Sequence, residues 1–140
     1  MAANNSVGLR LSGILVLVFD RNEDTRYALK AKLELSGAIV SVARSPGELL
    51  AILAQFSPHV IVVDVPMPAE DWSELLNEAR SMGPASRKIS AIAITSQSNR
   101  AAALGSGFQA SVETPIEFDV LCNAISVAAG DRRVLFSEEQ

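Results

Sequence analysis

Residues 58–68 read Pro-His-Val-Ile-Val-Val-Asp-Val-Pro-Met-Pro, and this stretch decides the fold. Its centre, Val60–Asp64, is an unbroken run of β-branched residues that ends in a carboxylate. Strands that are buried on both faces of a parallel sheet have this composition. Four further short apolar runs, rich in Val and Ile, are spaced along the chain at Ile14–Phe19, Ile39–Ala43, Ile89–Ile94 and Phe108–Val112. The sequence therefore predicts five strands of a buried sheet.

Segments with helical spacing separate the apolar runs. The clearest begins at Ser45-Pro46-Gly47-Glu48, where a capping Ser, a Pro in the first turn and a Glu three residues after the Ser mark the start of a helix. The other helices are expected at about 24–36, 71–82, 99–104 and 117–129. Strands that alternate with helices predict a three-layer, doubly wound α/β fold with a parallel sheet.

Length and composition narrow the possible functions. The chain has 140 residues, of which 49% are hydrophobic, so we expect one domain at 14–130, an N-terminal extension at 1–13 and a charged C-terminal tail at 131–140. A net charge of −4 gives no basic excess for binding nucleic acid. One cysteine excludes an internal disulfide framework. The first apolar run is too short for a signal peptide or a membrane span, which predicts a cytoplasmic protein.

Polar side chains stand where the predicted strands end. Asp20 follows the first strand, Asp64 closes the third, Thr95 follows the fourth and Glu113-Thr114 follow the fifth. The carboxyl ends of parallel strands meet at one edge of the sheet, where ligands bind. Two carboxylates there can hold a hard cation such as Mg²⁺, and one can attack a phosphoryl group. The alternative is that both acids only cap the turns that follow them.

Four segments carry a family resemblance: 16–20, 58–68, 92–96 and 114–116. In this order they resemble the receiver domain of bacterial two-component response regulators, over about residues 14–129. The resemblance implies a (βα)5 sheet of flavodoxin-like strand order 2-1-3-4-5, in a signalling module that is not an enzyme. It also implies a histidine kinase or phosphotransfer protein as phosphoryl donor. A further protein partner would bind the face formed by the fourth helix, fifth strand and fifth helix.

The same resemblance assigns roles to individual residues. Asp64 matches the phosphoacceptor, and Thr95 matches the hydroxyl that turns toward the phosphoryl group. Asp20, Asp64 and the backbone carbonyl of Pro66 match the positions that hold Mg²⁺.

Three positions depart from the family pattern. Arg21 replaces a second acid, Thr114 replaces a Lys before a Pro, and Ser111 replaces an aromatic residue or His. Because Arg21 adds a positive charge and Thr114 cannot supply one, we expect weak Mg²⁺ binding and weakened phosphotransfer. Arg21 could instead pair with Asp64 and replace the missing positive charge, or it could point into solvent.

Two functions remain open on these residues: a phosphorylatable receiver, and a pseudo-receiver that binds proteins without phosphorylation. Other classes lack their signatures, since no glycine-rich phosphate loop is present and the chain offers only one His and one Cys to a zinc or Ser-His-Asp hydrolase site. A separate protein and a piece of a longer hybrid kinase are both compatible with the sequence. The one histidine, His59, is expected on the surface, at the end of the sheet opposite the acids.

Overall fold

The structure is a computed structural model that describes residues 10–65, 72–82 and 89–139, with side chains up to Gly130. The strands are β1 Leu15–Phe19, β2 Ile39–Ala43, β3 Val60–Asp64, β4 Ser90–Thr95 and β5 Ala110–Glu113. The helices are α1 Glu23–Leu35, α2 Pro46–Leu53, α3 Ser73–Arg80, α4 Arg100–Gly105 and α5 Phe118–Glu139, with a 3-10 turn at Gln97–Asn99 before α4.

The five strands form one parallel sheet in the order β2-β1-β3-β4-β5, which confirms the predicted fold. β1 lies between β2 and β3. Val18 of β1 pairs in register with Val42 of β2 and with Val62 of β3. This order places the carboxyl ends of β1 and β3 side by side.

Alternate strand residues build two cores, one on each face of the sheet. Val16 and Val18 pack with Leu33 of α1 and Ile125 of α5. The intervening residues pack with α2, α3 and α4 on the other face; these are Leu17, Phe19, Ile61 and Val63. Because β1 and β3 are covered on both faces, their side chains are apolar at nearly every position. The sequence therefore shows these strands as continuous apolar runs.

The helix starts follow their local sequence. Asn22 caps α1, since its side chain accepts a hydrogen bond from the backbone N–H of Thr25 at 2.9 Å. Ser45 caps α2 as predicted, accepting from the N–H of Glu48 at 3.1 Å. The Glu48 carboxylate reaches back to the N–H of Arg44 at 2.8 Å.

At both ends the described structure continues beyond residues 14–130. Leu11 is fully buried in the core and its N–H donates to the carbonyl of Ser36 at 2.8 Å, so the fold begins before residue 14. At the other end α5 continues through Gly130 to Glu139, where we expected a tail. A single glycine inside a helix costs only about 1 kcal/mol and does not end it.

His59 is half-buried rather than a surface residue. Its Nδ1 accepts a hydrogen bond from the backbone N–H of Leu15 at 2.9 Å, and the backbone N–H of His59 donates to the carbonyl of Leu15 at 2.9 Å. The imidazole therefore satisfies the first amide of β1. Within the described part of the chain, no helix is both long and apolar enough to cross a membrane.

Gly37, in the turn between α1 and β2, has a φ of +99°, and a Cβ there would lie 2.9 Å from the Cα and the N of Ser12. We predict that Gly37→Ala lowers the free energy of unfolding by about 3 kcal/mol or more, since backbone strain and a steric clash add. Gly13→Ala is the matched control, because Gly13 also has positive φ, at +79°, but open space around its Cα. It should cost only about 1–2 kcal/mol. Equal losses in denaturant unfolding would contradict the steric part of this prediction.

Candidate functional site

The sheet brings the predicted site residues to one edge, the rim, which we define as the carboxyl ends of β1, β3, β4 and β5. Asp20 follows β1, Asp64 ends β3, and the two strands are hydrogen-bonded neighbours. The sequence predicts that Thr95 follows the fourth strand, whereas in the structure Thr95 is the last residue of β4. It pairs in register with Glu113 of β5. Pro66 lies outside the described residues.

Asp20 is a buried carboxylate, with 3% of its surface exposed. Its Oδ1 accepts the backbone N–H of Asn22 at 2.8 Å. Burial raises the pKa of the Asp20 carboxyl above its ordinary value, and the Asn22 hydrogen bond and the charge of Arg26 oppose that rise. The arrangement holds Asp20 rigidly, at the beginning of the turn into α1.

Arg26 is a site residue that the sequence analysis missed. It is also 3% exposed, and its Nη1 donates to the backbone carbonyl of Asp20 at 2.7 Å. Arg26 thus fixes the end of β1 from α1. Its position three residues before the core residue Leu29 was a weak signal that it faces inward.

Asp64 is half-buried and faces two charges of opposite sign. Burial raises the pKa of its carboxyl, the negative charge of Asp20 raises it further, and the positive charge of Arg21 lowers it. The two carboxylates are therefore electrostatically coupled, as a pair of acids in one site must be. Since the net effect is a raised pKa, the positive charge of Arg21 offsets only part of the cost of ionising Asp64.

Arg21 lies across an aromatic ring. Its guanidinium is 5.2 Å from the centre of the Phe19 ring, within the range of a cation–π contact. Phe19 is fully buried and in turn meets Trp72 edge to face, with ring centres 5.3 Å apart. Phe19 was predicted only as a strand residue, because a Phe in an apolar run carries no sign that its ring supports a charged neighbour.

Thr95 and Thr114 occupy different environments at the rim. Thr95 is buried, and its Oγ1 donates to the backbone carbonyl of Val65 at 3.2 Å. Thr114 is exposed, and its backbone N–H donates to the carbonyl of Thr95 at 3.1 Å. The Thr114–Pro115 peptide is cis. A hydroxyl at position 114 adds a neutral polar group to the rim where a Lys would add a charge.

The donor set fits a divalent cation poorly. Where the chain is described, no three His, Cys, Asp or Glu side chains gather in a group that could hold a metal ion. One Asp20 oxygen already accepts a hydrogen bond, and a positive charge acts on Asp64. Hard cations take several oxygen ligands from carboxylates, backbone carbonyls and water, and the described residues of the rim supply only part of such a set.

Ser111 lies away from the acids, in a cleft of about 470 Å³ beside β5. The cleft extends from Arg100, at the start of α4, to Val120 in the first turns of α5. Its walls also contain Val112, Glu113, Thr114, Pro115 and Glu117. The small side chain of Ser111 contributes to the width of this cleft, on the face where the sequence predicts a protein partner.

We predict that Asp64→Asn stabilises the domain at neutral pH. An Asp whose pKa is raised on folding destabilises the folded state when it is ionised, and this penalty disappears as the pH falls below the pKa of the unfolded chain. The gain in Tm should therefore be present at neutral pH and should vanish as the pH falls below about 4. Asp24→Asn, at an exposed position of α1, is the control and should give no such pH-dependent gain. A lower Tm for Asp64→Asn at neutral pH would contradict the prediction.

Comparison with known proteins supports one family. Residues 16–126 match the family model of the response regulator receiver domain. A 14.6 kDa protein from the sodA1 3′ region of Leptolyngbya boryana is 39% identical over 105 residues, which cover 73% of this chain and 79% of that protein. The response regulator MprA of Mycolicibacterium vanbaalenii is 30% identical over 108 residues, which cover 77% of this chain. The matched region spans 47% of MprA, about half of its length.

Solved structures show the same fold. The receiver domain of the Francisella response regulator 1452 superposes with a TM-score of 0.71 at 25% identity, covering 86% of this chain and 99% of that domain. The receiver domain of the sensor histidine kinase PA1611 from Pseudomonas aeruginosa, which has a magnesium ion coordinated in its active-site cleft, superposes with a TM-score of 0.72 at 18% identity. It covers 85% of this chain and 99% of that domain. Since the family match includes nearly every strand and helix described above, the chain belongs to the response regulator receiver domain family, the non-enzymatic signalling modules of two-component systems.

Proposed function

We propose that this receiver is a cytoplasmic phosphorelay module in which Asp64 accepts a phosphoryl group from a histidine kinase or a phosphotransfer protein. The observation that supports the proposal best is the placement of Asp64. Its carboxylate ends β3, remains partly exposed at the rim and is coupled to the buried carboxylate of Asp20. A carboxylate that is accessible and fixed by a strand is suited to attack an incoming phosphoryl group.

The proposed step moves one phosphoryl group. A carboxylate oxygen of Asp64 forms the new O–P bond, and the N–P bond of the donor phosphohistidine breaks. The imidazole nitrogen keeps the electron pair of that bond and takes up a proton from solvent. For Thr95 to donate to the bound group, its hydroxyl must exchange the Val65 carbonyl for a phosphoryl oxygen.

Two positions that depart from the family pattern, Arg21 and Thr114, support the proposal that phosphoryl transfer is slow. Negative charge on a phosphoryl group is best met by a cation, and Thr114 supplies none. Arg21 opposes the binding of Mg²⁺, whose proposed ligands are Asp20, Asp64 and the backbone carbonyl of Pro66, so we expect its affinity to be low. Slow phosphorylation is the expected consequence.

A phosphorylation-independent pseudo-receiver is the second candidate, and the cleft beside Ser111 favours it. The surrounding α4–β5–α5 face carries exposed apolar side chains, with Leu104 36% and Val120 49% exposed. The cleft of about 470 Å³ has Val112, Pro115 and Val120 in its wall beside polar and charged residues, so it can accept a side chain from a partner protein. Such binding would need no phosphoryl group at Asp64.

Mass spectrometry after incubation with acetyl phosphate and Mg²⁺ distinguishes the two functions. We expect the wild-type chain to gain the mass of one phosphoryl group in a small fraction of molecules, and Asp64→Asn to gain none. Thr114→Lys should raise the phosphorylation rate about tenfold or more, because it returns a cation to the rim.

Asp119→Asn, which alters an exposed carboxylate at the start of α5, is the control and should label like the wild type. Labelling that persists in Asp64→Asn would contradict Asp64 as the acceptor. No labelling in either the wild type or Thr114→Lys would establish the pseudo-receiver instead.

A further inference from the structure

We propose that Arg21, held on the ring of Phe19, supplies at Asp64 part of the positive charge that a divalent cation would otherwise supply, so that the charge of the rim is partly balanced without metal. The inference uses the proposed function only for the identity of Asp64 as the acceptor. It assigns one new role to Arg21, as an internal cation, and one to Phe19, as its positioning residue.

The rim needs positive charge because its two acids are partly or wholly removed from water. Asp20 is buried and Asp64 is half-buried, at the ends of two neighbouring strands. Like charges at such positions repel, because partial burial reduces the screening by solvent. Arg26 supplies positive charge at Asp20. Its charge lowers the pKa of the Asp20 carboxyl, and its Nη1 donates a hydrogen bond to the backbone carbonyl of Asp20. Ionised Asp64 would be stabilised in the same way by a second cation.

Arg21 is placed to be that second cation. Its charge acts on Asp64, and its guanidinium rests 5.2 Å from the centre of the Phe19 ring. A long Arg side chain at an exposed position has many accessible rotamers. The aromatic platform reduces that freedom, and a cation–π contact contributes about 0.5–2 kcal/mol.

The platform itself is rigid. Phe19 has no exposed surface, and Trp72 packs edge to face against it with ring centres 5.3 Å apart. Trp72 is likewise buried and meets Phe108 on another side, at 6.2 Å between ring centres. Phe19 is thus fixed by the core on the α2–α4 face, and the position of Arg21 depends on that core.

A guanidinium and a divalent cation compete for the same carboxylate. Arg cannot lose its proton in a protein, so its charge persists at every pH at which the domain is folded. Replacing Arg21 with Asp changes the local charge by two units in the direction that favours Mg²⁺. The expected gain in Mg²⁺ affinity is at least about tenfold, even at the high effective dielectric of a rim that is open to solvent.

The test is a MgCl₂ titration of the full chain, followed by the fluorescence of Trp72, the one tryptophan of the sequence, and by thermal unfolding. We expect a nearly flat response for the wild type and a saturable response for Arg21→Asp. Asp64→Asn in the Arg21→Asp background should remove the response. Lys30→Asp, an equal change of charge in the middle of α1, should behave like the wild type. Arg21→Gln, which changes the charge by one unit, should give a smaller gain in affinity and serves if Arg21→Asp does not fold.

Phe19→Leu tests the positioning role. It keeps Arg21 but removes the platform, so its Mg²⁺ affinity should lie between those of the wild type and Arg21→Asp. Phe108→Leu is the matched control, because it removes the other buried ring next to Trp72. It should leave the Mg²⁺ response as in the wild type. Equal changes for the two Phe variants would show a merely structural role and overturn the assignment of Phe19.

The proposal for Arg21 is wrong if the wild type binds Mg²⁺ as tightly as Arg21→Asp does, or if neither Arg21 variant binds Mg²⁺ more tightly than the wild type. The acetyl phosphate experiment tests the proposed function independently of the Mg²⁺ titration. A chain that is never phosphorylated at Asp64 would overturn the proposed function, while the difference in Mg²⁺ affinity between the variants would still support the internal cation.

Discussion

Burial of two carboxylates at the ends of neighbouring strands, with the repulsion that Asp20 adds at Asp64, is the constraint on which the rim of this domain depends. Asp20 and Asp64 extend from β1 and β3, which are hydrogen-bonded along four residue pairs. The side chains of those pairs are buried on both faces, so a shift of either strand would expose the core. The charge must therefore be compensated where the acids stand.

The compensation comes from groups close to the end of β1. The Asn22 amide and Arg26 act on Asp20, and Arg21 acts on Asp64. The positive charge of Arg21 and the neutral side chain of Thr114 are consistent with each other. A rim that carries its own cation needs less positive charge from a metal ion or from a Lys at position 114. The receiver fold is retained, and we propose that the means of balancing charge at Asp64 differs from a bound metal ion.

The sequence was most informative where burial restricts composition. Strands covered on both faces must be apolar, so Val60–Asp64 and Ile14–Phe19 were recognisable, and the acids and hydroxyl at their ends fell on one edge. The sequence was less informative about Arg26 and Phe19. Arg26 binds a backbone carbonyl, and every residue has one, so the sequence contains no specific partner residue that would reveal this contact. Phe19 supports a cation, but in the sequence it cannot be distinguished from any other Phe of an apolar core. The described structure continues beyond residues 14–130 because Leu11 packs through a turn and a single Gly130 does not stop a helix.

The most direct test of the central claim is a double-mutant cycle between Arg21→Gln and Asp64→Asn, measured by denaturant unfolding at neutral pH without Mg²⁺. Charge compensation at the rim predicts a favourable coupling free energy of at least about 0.5 kcal/mol between these two residues. Effects of the two substitutions that simply add would contradict it, because Arg21 would then stabilise the domain independently of the charge on Asp64.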